Sequence, residues 1–182
     1  MEVPLSESLP YGIRDIKITP VTAAGVLGTA VDLPNARTLS FEEGEEFEEL
    51  RGDDQVVATR GSGPAVSWEL ESGGISLEAL VVLNGGTCLL SGVAPSQVKT
   101  YKKLATDARP EFKIEGQAMS ESGGDFHTIL HRCKSTEEVS GEFSDGGFFL
   151  TAASGSALPS KTTATVGELY RFVHNETSVN IT

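Results

Sequence analysis

Cysteine is nearly absent: only Cys88 and Cys133 occur in 182 residues. Two thiols cannot build a disulfide scaffold, so reduced, half-buried side chains are expected. Long apolar runs are missing as well, and no stretch approaches the roughly 18 residues of a membrane-crossing helix. The opening run MEVPLSESLPYGIRD has neither the basic nor the apolar region of a secretory signal, which predicts a product that folds where it is made. Positive charge is scarce. Fourteen Lys and Arg face 26 Asp and Glu, giving a net charge of −12 and a pI of about 4.6. That excludes tight binding to a nucleic-acid backbone, which needs clustered cations to displace counterions. It is compatible with a surface that nucleic acid passes without sticking. Aromatics are few too. One Trp and three Tyr are thin material for the platforms of a carbohydrate-binding module.

Catalytic signatures are also lacking. There is no nucleophile elbow, and GSGP at 61–64 has Pro64 where a phosphate loop would run into a helix. The spacing of a calcium loop is absent. FHTILHRC would place His127, His131 and Cys133 on one strand face, but Ile129 shares that face and no CxxC pair completes a four-ligand zinc site. Packing is therefore expected there, with no metal and no cofactor. His174 has no recognisable Ser or Cys partner. The RGD at 51–53 matches an integrin tripeptide by three letters, and NET at 175–177 and NIT at 180–182 match glycosylation sequons. Without secretion neither has a role.

What is present is a β pattern. Hydrophobic content of 38% and charged content of 22% suit one globular domain of ordinary size. AVSWELES alternates Val66, Trp68 and Leu70 against Ser67, Glu69 and Glu71. EFKIEGQAM alternates Phe112, Ile114 and Ala118 against Lys113, Glu115 and Gln117. Further strands are expected in IRDIKITPV, QVVATR, TCLLSG, VKTYKKL, DFHTILHRC, EVSGEF, GFFLTAA and LYRFVHN. SDGG before Phe148 and Phe149 predicts a hairpin turn, and DARP at 107–110 a break between strands. One segment departs from period two: Leu77, Leu80, Val81 and Leu83 fall at helical spacing, with Ser76 as N-cap and Gly85-Gly86 as the stop. The expected fold is mainly β: two antiparallel sheets forming a sandwich or barrel with one short flanking helix. Residues 1–12 read as an N-terminal arm, 13–174 as the β domain and 175–182 as a polar C-terminal tail.

The densest feature is FEEGEEFEELRGDD, residues 41–54, with eight carboxylates and one Arg. Charge runs are usually solvated loops. Scattered among so many unscreened neighbours, two of these carboxylates would not acquire the split pKa values of a glycosidase acid and base, and no enzyme is expected. On strand parity Leu39, Phe41 and Phe47 share one face and Glu42, Glu46 and Glu48 the other. Glu43, Glu45 and Glu49 then fall on the apolar side. Either the strand leaves the core near Gly44, or the run is a hairpin that extends beyond the domain.

ELRGDDQVVATRGSGPAVSWELESGGISLEALVVLNGG resembles a stretch of the major tail (tube) proteins of long-tailed, non-contractile bacteriophages, and GGFFLTAASGSALP is similar to their final hairpin region. The resemblance spans residues 39–86 and 137–159 and is carried by pattern and order. It implies a tail-tube fold whose subunits form hexameric rings that stack into a hollow tube for the genome. It implies tape-measure, tail-tip and tail-terminator proteins as partners, and a virion tail assembled in the host cytoplasm. Viral DNA would pass without specific binding, and no membrane would be involved. In that setting Glu42, Glu46 and Glu48 are the lumen candidates, and Glu49, Arg51, Asp53, Asp54 and Arg60 the inter-subunit loop candidates. The net charge predicts a chain that stays monomeric until assembly is nucleated. A contractile-tail or secretion-system tube or hub component, and a β-sandwich binding module, are the alternative readings.

Overall fold

The computed structural model describes residues 7–143 and 145–181. Residues 1–6 of the expected N-terminal arm, Ser144 of the SDGG turn and Thr182 of the second sequon lie outside them. The strands are β1 (Pro10–Val21), β2 (Val31–Asp32), β3 (Ala36–Gly52), β4 (Gln55–Gly73), β5 (Thr87–Ser91), β6 (Val98–Lys102), β7 (Glu111–Ser120), β8 (Asp125–Lys134), β9 (Val139–Glu142), β10 (Leu150–Ala157) and β11 (Tyr170–Asn175), with one helix, α1 (Leu77–Asn84). Every strand pairing is antiparallel. The protein is mainly β with one short helix, as its alternation predicts.

Nine strands form a single sheet in the order β2-β1-β7-β8-β10-β4-β3, with β11 added beside β8 and β9 beside β10; β5 and β6 form a separate pair. The large sheet turns a corner at β8. Its residues 125–130 pair with β11, while Cys133 and Lys134 pair with Ala157 and Ser156 of β10. Gly155 makes this corner possible, because a Cβ there would lie 2.1 Å from the carbonyl oxygen of Lys134. The two halves thereby face each other as a sandwich. Ile16, Ile18, Phe112, Ile114 and Leu130 from one half meet Val66, Trp68, Leu70, Ala153 and Ala157 from the other. Trp68 and Phe112, both essentially inaccessible, meet edge-on at 5.6 Å. Burying side chains of this size contributes about 1.5–3 kcal/mol each.

Helix α1 closes one end of this core. Ser76 caps it by accepting the Ala79 N–H, and Gly85, at φ 80°, ends it with an N–H to the Val81 carbonyl. Its buried residues are Ala79, Val82 and Leu83. Leu77, Leu80 and Val81, expected on the buried face, are only partly covered, because β1, β2, β5, β6 and β7 surround the helix rather than meeting one stripe. Between β9 and β10 the chain makes a hairpin, but pairing starts at Glu142 and Leu150. Strand pairing thus stops too far from Asp145 and Gly146 for them to form a tight two-residue turn. DARP separates β6, in the small sheet, from β7 in the large one.

Three other expectations are corrected. Glu115 and Gln117, assigned to a solvent face, are 7% and 2% exposed. Residues 176–181 lie across them: Gln117 donates to the Val179 carbonyl at 2.9 Å, Lys17 to the Ile181 carbonyl at 2.6 Å, and Ile181 is itself buried. The C-terminal segment is thus a strap with a buried face, not a loose polar tail. Finally, β8 carries an extra residue between Leu130 and Cys133, where β7 spans only Ile114 to Phe112. That bulge reverses the alternation, so Cys133 joins Leu130 in the core instead of sharing a face with His127 and His131.

Candidate functional site

The acidic run forms most of β3, and with β4 it makes a hairpin far longer than the core beneath it. Leu39 pairs with Leu70, Phe41 with Trp68 and Glu43 with Val66, so all three point to the interior side. Phe41 packs against Tyr170 and Phe172 of β11, both at 5.5 Å between ring centroids. Glu43 is the last residue to find a partner there: Tyr170 donates its hydroxyl to the carboxylate at 2.6 Å. That bond, with the negative charge beside it, raises the Tyr170 hydroxyl above its ordinary pKa. From Gly44 onward β3 is exposed throughout, so the strand both leaves the core at Gly44 and continues as a projecting hairpin.

The projecting part, residues 44–65, extends about 27 Å at ~3.4 Å per residue. Its tip is a two-residue turn, with Asp53 and Asp54 at φ 51° and 62° between the paired Gly52 and Gln55. Positive φ at both central residues matches the twist of the flanking strands. The inter-subunit candidates Glu49, Arg51, Asp53, Asp54 and Arg60 all lie on this outer hairpin and are exposed. Arg51 bonds Glu49 through both Nε and Nη2, which draws the guanidinium of the RGD tripeptide back along its own strand. Phe47, Leu50 and Val57 are each more than 60% exposed, so the arm is apolar as well as acidic.

By strand alternation Glu42, Glu46 and Glu48 fall on the opposite side from Phe41 and Phe47. That side continues across β4, β10 and β9 as the outer surface of one half-sandwich. Three shallow troughs run along it, of about 440, 300 and 550 Å³. Their polar lining is Ser, Thr and Glu: Thr38, Ser40, Glu42, Glu45 and Glu46 from β3, Ser62, Ser67, Glu69 and Glu71 from β4, Ser140, Ser154 and Ser156, and Glu137 and Glu138. No Lys or Arg lines any of the three, but Arg37 of β3 pairs with Glu71 at 3.3 Å. Arg60 of β4 stands across from Glu48 and lines a further trough of about 480 Å³ with Glu46 and Glu48. Glu69, Glu71, Glu137 and Glu138 were not singled out by sequence. The signal for Glu69 and Glu71 was available, because they alternate with Trp68 and Leu70. Only the pairings of Ser40 with Glu69 and of Glu42 with Ser67 reveal that two acidic rows share one surface.

The other half-sandwich has a different outer surface. Asp125, fully buried, accepts hydrogen bonds from Asn175 Nδ2 at 2.8 Å, the Val179 N–H at 2.8 Å, Ser178 Oγ at 3.2 Å and also Gln117. Burial alone would raise its carboxyl, but these bonds together with His127 outweigh that and hold it well below the usual carboxylate range. His127 sits between Glu115 at 3.3 Å, Asp125 at 3.2 Å and the Val179 carbonyl at 3.0 Å. His131 lies 3.0 Å from Glu168 instead, and desolvation lowers its pKa. The two histidines therefore serve different contacts. Among the described residues no cluster of His, Cys, Asp and Glu is arranged to hold a metal ion. Cys133 is buried and its thiol is pushed far up by desolvation, which leaves it inert.

No protein-family model matches the chain, and neither does any curated protein.

Proposed function

We propose that this chain is a tail tube subunit of a long-tailed, non-contractile bacteriophage. It would oligomerise into hexameric rings that stack into the conduit for genome ejection. The observation that carries the reading is the predominantly acidic outer surface of β3, β4, β9 and β10, where carboxylates outnumber Arg37 and Arg60. Turned toward a channel, Glu42, Glu69 and Glu137 would meet DNA phosphates within a Debye length of about 10 Å, where like charges repel. Ring symmetry repeats each carboxylate around the bore.

Two further features support it. A hairpin that projects beyond its own core, carrying exposed Phe47, Leu50 and Val57, is a liability in a lone monomer and a contact surface in an assembly. The segments that resemble tail tube proteins, 39–86 and 137–159, are also those that build this surface and this arm. On this reading the tape-measure, tail-tip and terminator proteins are the partners and the virion tail is the location. Glu42, Glu46 and Glu48 are lumenal, and Glu49, Arg51, Asp53, Asp54 and Arg60 meet neighbouring subunits. Negative-stain microscopy of concentrated protein, alone and with a tail-tip extract, tests this. Rings or cylinders with a central hole are expected; a monodisperse monomer under every condition would overturn it.

A further inference from the structure

The run 87–104, TCLLSGVAPSQVKTYKKL, contains Lys99, Lys102 and Lys103 and not one Asp or Glu, in a chain of net charge −12. It folds as the β5–β6 flap, which pairs only with itself and rests on α1. Tyr101 fastens it by donating to the Gly85 carbonyl at 2.7 Å. Leu89, Leu90, Val93 and Val98 are all more than half exposed. Lys102 has no carboxylate partner among the described residues, Lys99 leans on Glu78 in an exposed pair of little net worth, and Lys103 is held by the Asn84 carbonyl. The flap is thus a basic, apolar patch with open strand edges.

The β3–β4 arm has the complementary make-up. Residues 42–60 hold eight carboxylates against two arginines, beside exposed Phe47, Leu50 and Val57. The two elements lie at opposite ends of one strand. β4 runs from the arm tip at Gln55 to Gly73, about 60 Å away at ~3.4 Å per residue. Helix α1 and then the flap follow directly from that far end. The arm tip and the flap thus belong to the two ends of β4.

We propose that the β5–β6 flap is the docking site for the β3–β4 arm of a second copy of this chain, with the arm carboxylates against Lys99 and Lys102 and the exposed apolar residues of both covered between them. Arm and flap are different patches, so the contact is heterologous and each copy can give one arm and receive another, which propagates an array rather than closing a dimer. Local attraction selects partner and register, while the overall like charge keeps the contact weak until many copies are aligned. The inference rests on self-assembly as proposed above and adds which surfaces meet.

The test is carbodiimide cross-linking, which joins a carboxylate to an amine, on a concentrated mixture of ¹⁵N-labelled and unlabelled protein. Mixed-label peptides joining Lys99 or Lys102 to Glu45, Glu49, Asp53 or Asp54 are expected. Lys99→Glu with Lys102→Glu should weaken association, followed by sedimentation, at least tenfold, and mixing with a copy that carries Glu45→Lys and Glu49→Lys should restore it. Tubes whose mixed-label links avoid the flap would overturn the docking and leave the tube reading intact. Arm–flap links in open chains that never give rings would do the reverse. Absence of both would remove both.

Discussion

The backbone N–H of Val179 donates to Asp125 Oδ2 at 2.8 Å, and this bond closes the C-terminal strap over β7 and β8. Asp125 has no exposed surface, so its charge is tolerable only because Asn175, Ser178 and Gln117 also donate to it. Replacing it with Asn would turn amide hydrogens toward donors. Asp125→Asn is expected to cost about 3 kcal/mol, since hydrogen bonds to a charged group contribute roughly 1.5–3 kcal/mol each and buried donors would be orphaned. Ending the chain after Asn175 should cost a similar amount, because it uncovers the surface that Ile181 packs on. Urea denaturation of both variants measures this; an unchanged midpoint would mean that the strap contributes nothing to the fold.

The same carboxylate sets an acid limit. Asp125 is held below its ordinary 3.8, and the Glu111 carboxyl is lowered from 4.5 by its hydrogen bonds to Arg132. A group depressed in the folded state adds stability above its ordinary value and loses it as pH falls through its folded value. Wild-type protein should therefore lose thermal stability between about pH 5 and about pH 2. Asp125→Asn, weaker at neutral pH, should show a shallower decline, so the two melting curves converge in acid. Parallel curves would assign the acid loss elsewhere.

Much of this architecture was legible in the residues. Val66, Trp68 and Leu70 alternate toward the core as period two demands, and Ser76 and Gly85 bound the one helix. Where reading failed, the cause was non-local. Glu115 and Gln117 look solvent-facing until residues about 60 positions later fold back over them, as Gln117 to Val179 does at a separation of 62. Cys133 changes face because of one extra residue in β8, which leaves no trace in hydropathy. For the candidate site, the parity of Glu42, Glu46 and Glu48 was readable from β3 alone. Its continuation through Glu69 and Glu137 needed the strand order, and the pairing of Glu43 with Tyr170 needed residues 127 positions apart.

Gly155 tests the corner of the sheet. A methyl group there would stand 2.1 Å from the Lys134 carbonyl and 2.8 Å from the Thr136 nitrogen, both backbone atoms that cannot rotate away. Gly155→Ala should break the Ala157–Cys133 and Ser156–Lys134 pairing and cost more than about 3 kcal/mol, in the range of backbone steric conflicts. Gly63→Ala, on the exposed arm with open space around it, is the control; it carries only the strain of a positive φ, about 1 kcal/mol. Equal effects at the two sites would show that β8 and β10 need not approach so closely.

Passivation of the β3–β4–β10 surface makes the most demanding prediction. Glu42→Lys, Glu46→Lys and Glu69→Lys together change six charges on side chains that are exposed and take part in no ion pair among the described residues. Folding stability should move by no more than about ±0.5 kcal/mol per site, the usual range for surface substitutions. Assembled variant tubes should nevertheless retain duplex DNA on sedimentation at low salt and release it as salt rises, because lysines would now displace phosphate counterions. Wild-type tubes should retain none. Glu7→Lys, Glu121→Lys and Glu176→Lys together, a reversal of the same size on exposed residues away from this surface, separate position from net charge: this control should leave DNA unbound. If it captured DNA as well as the Glu42, Glu46 and Glu69 variant does, only the total charge would matter, and the acidic face would have no privileged relation to the bore.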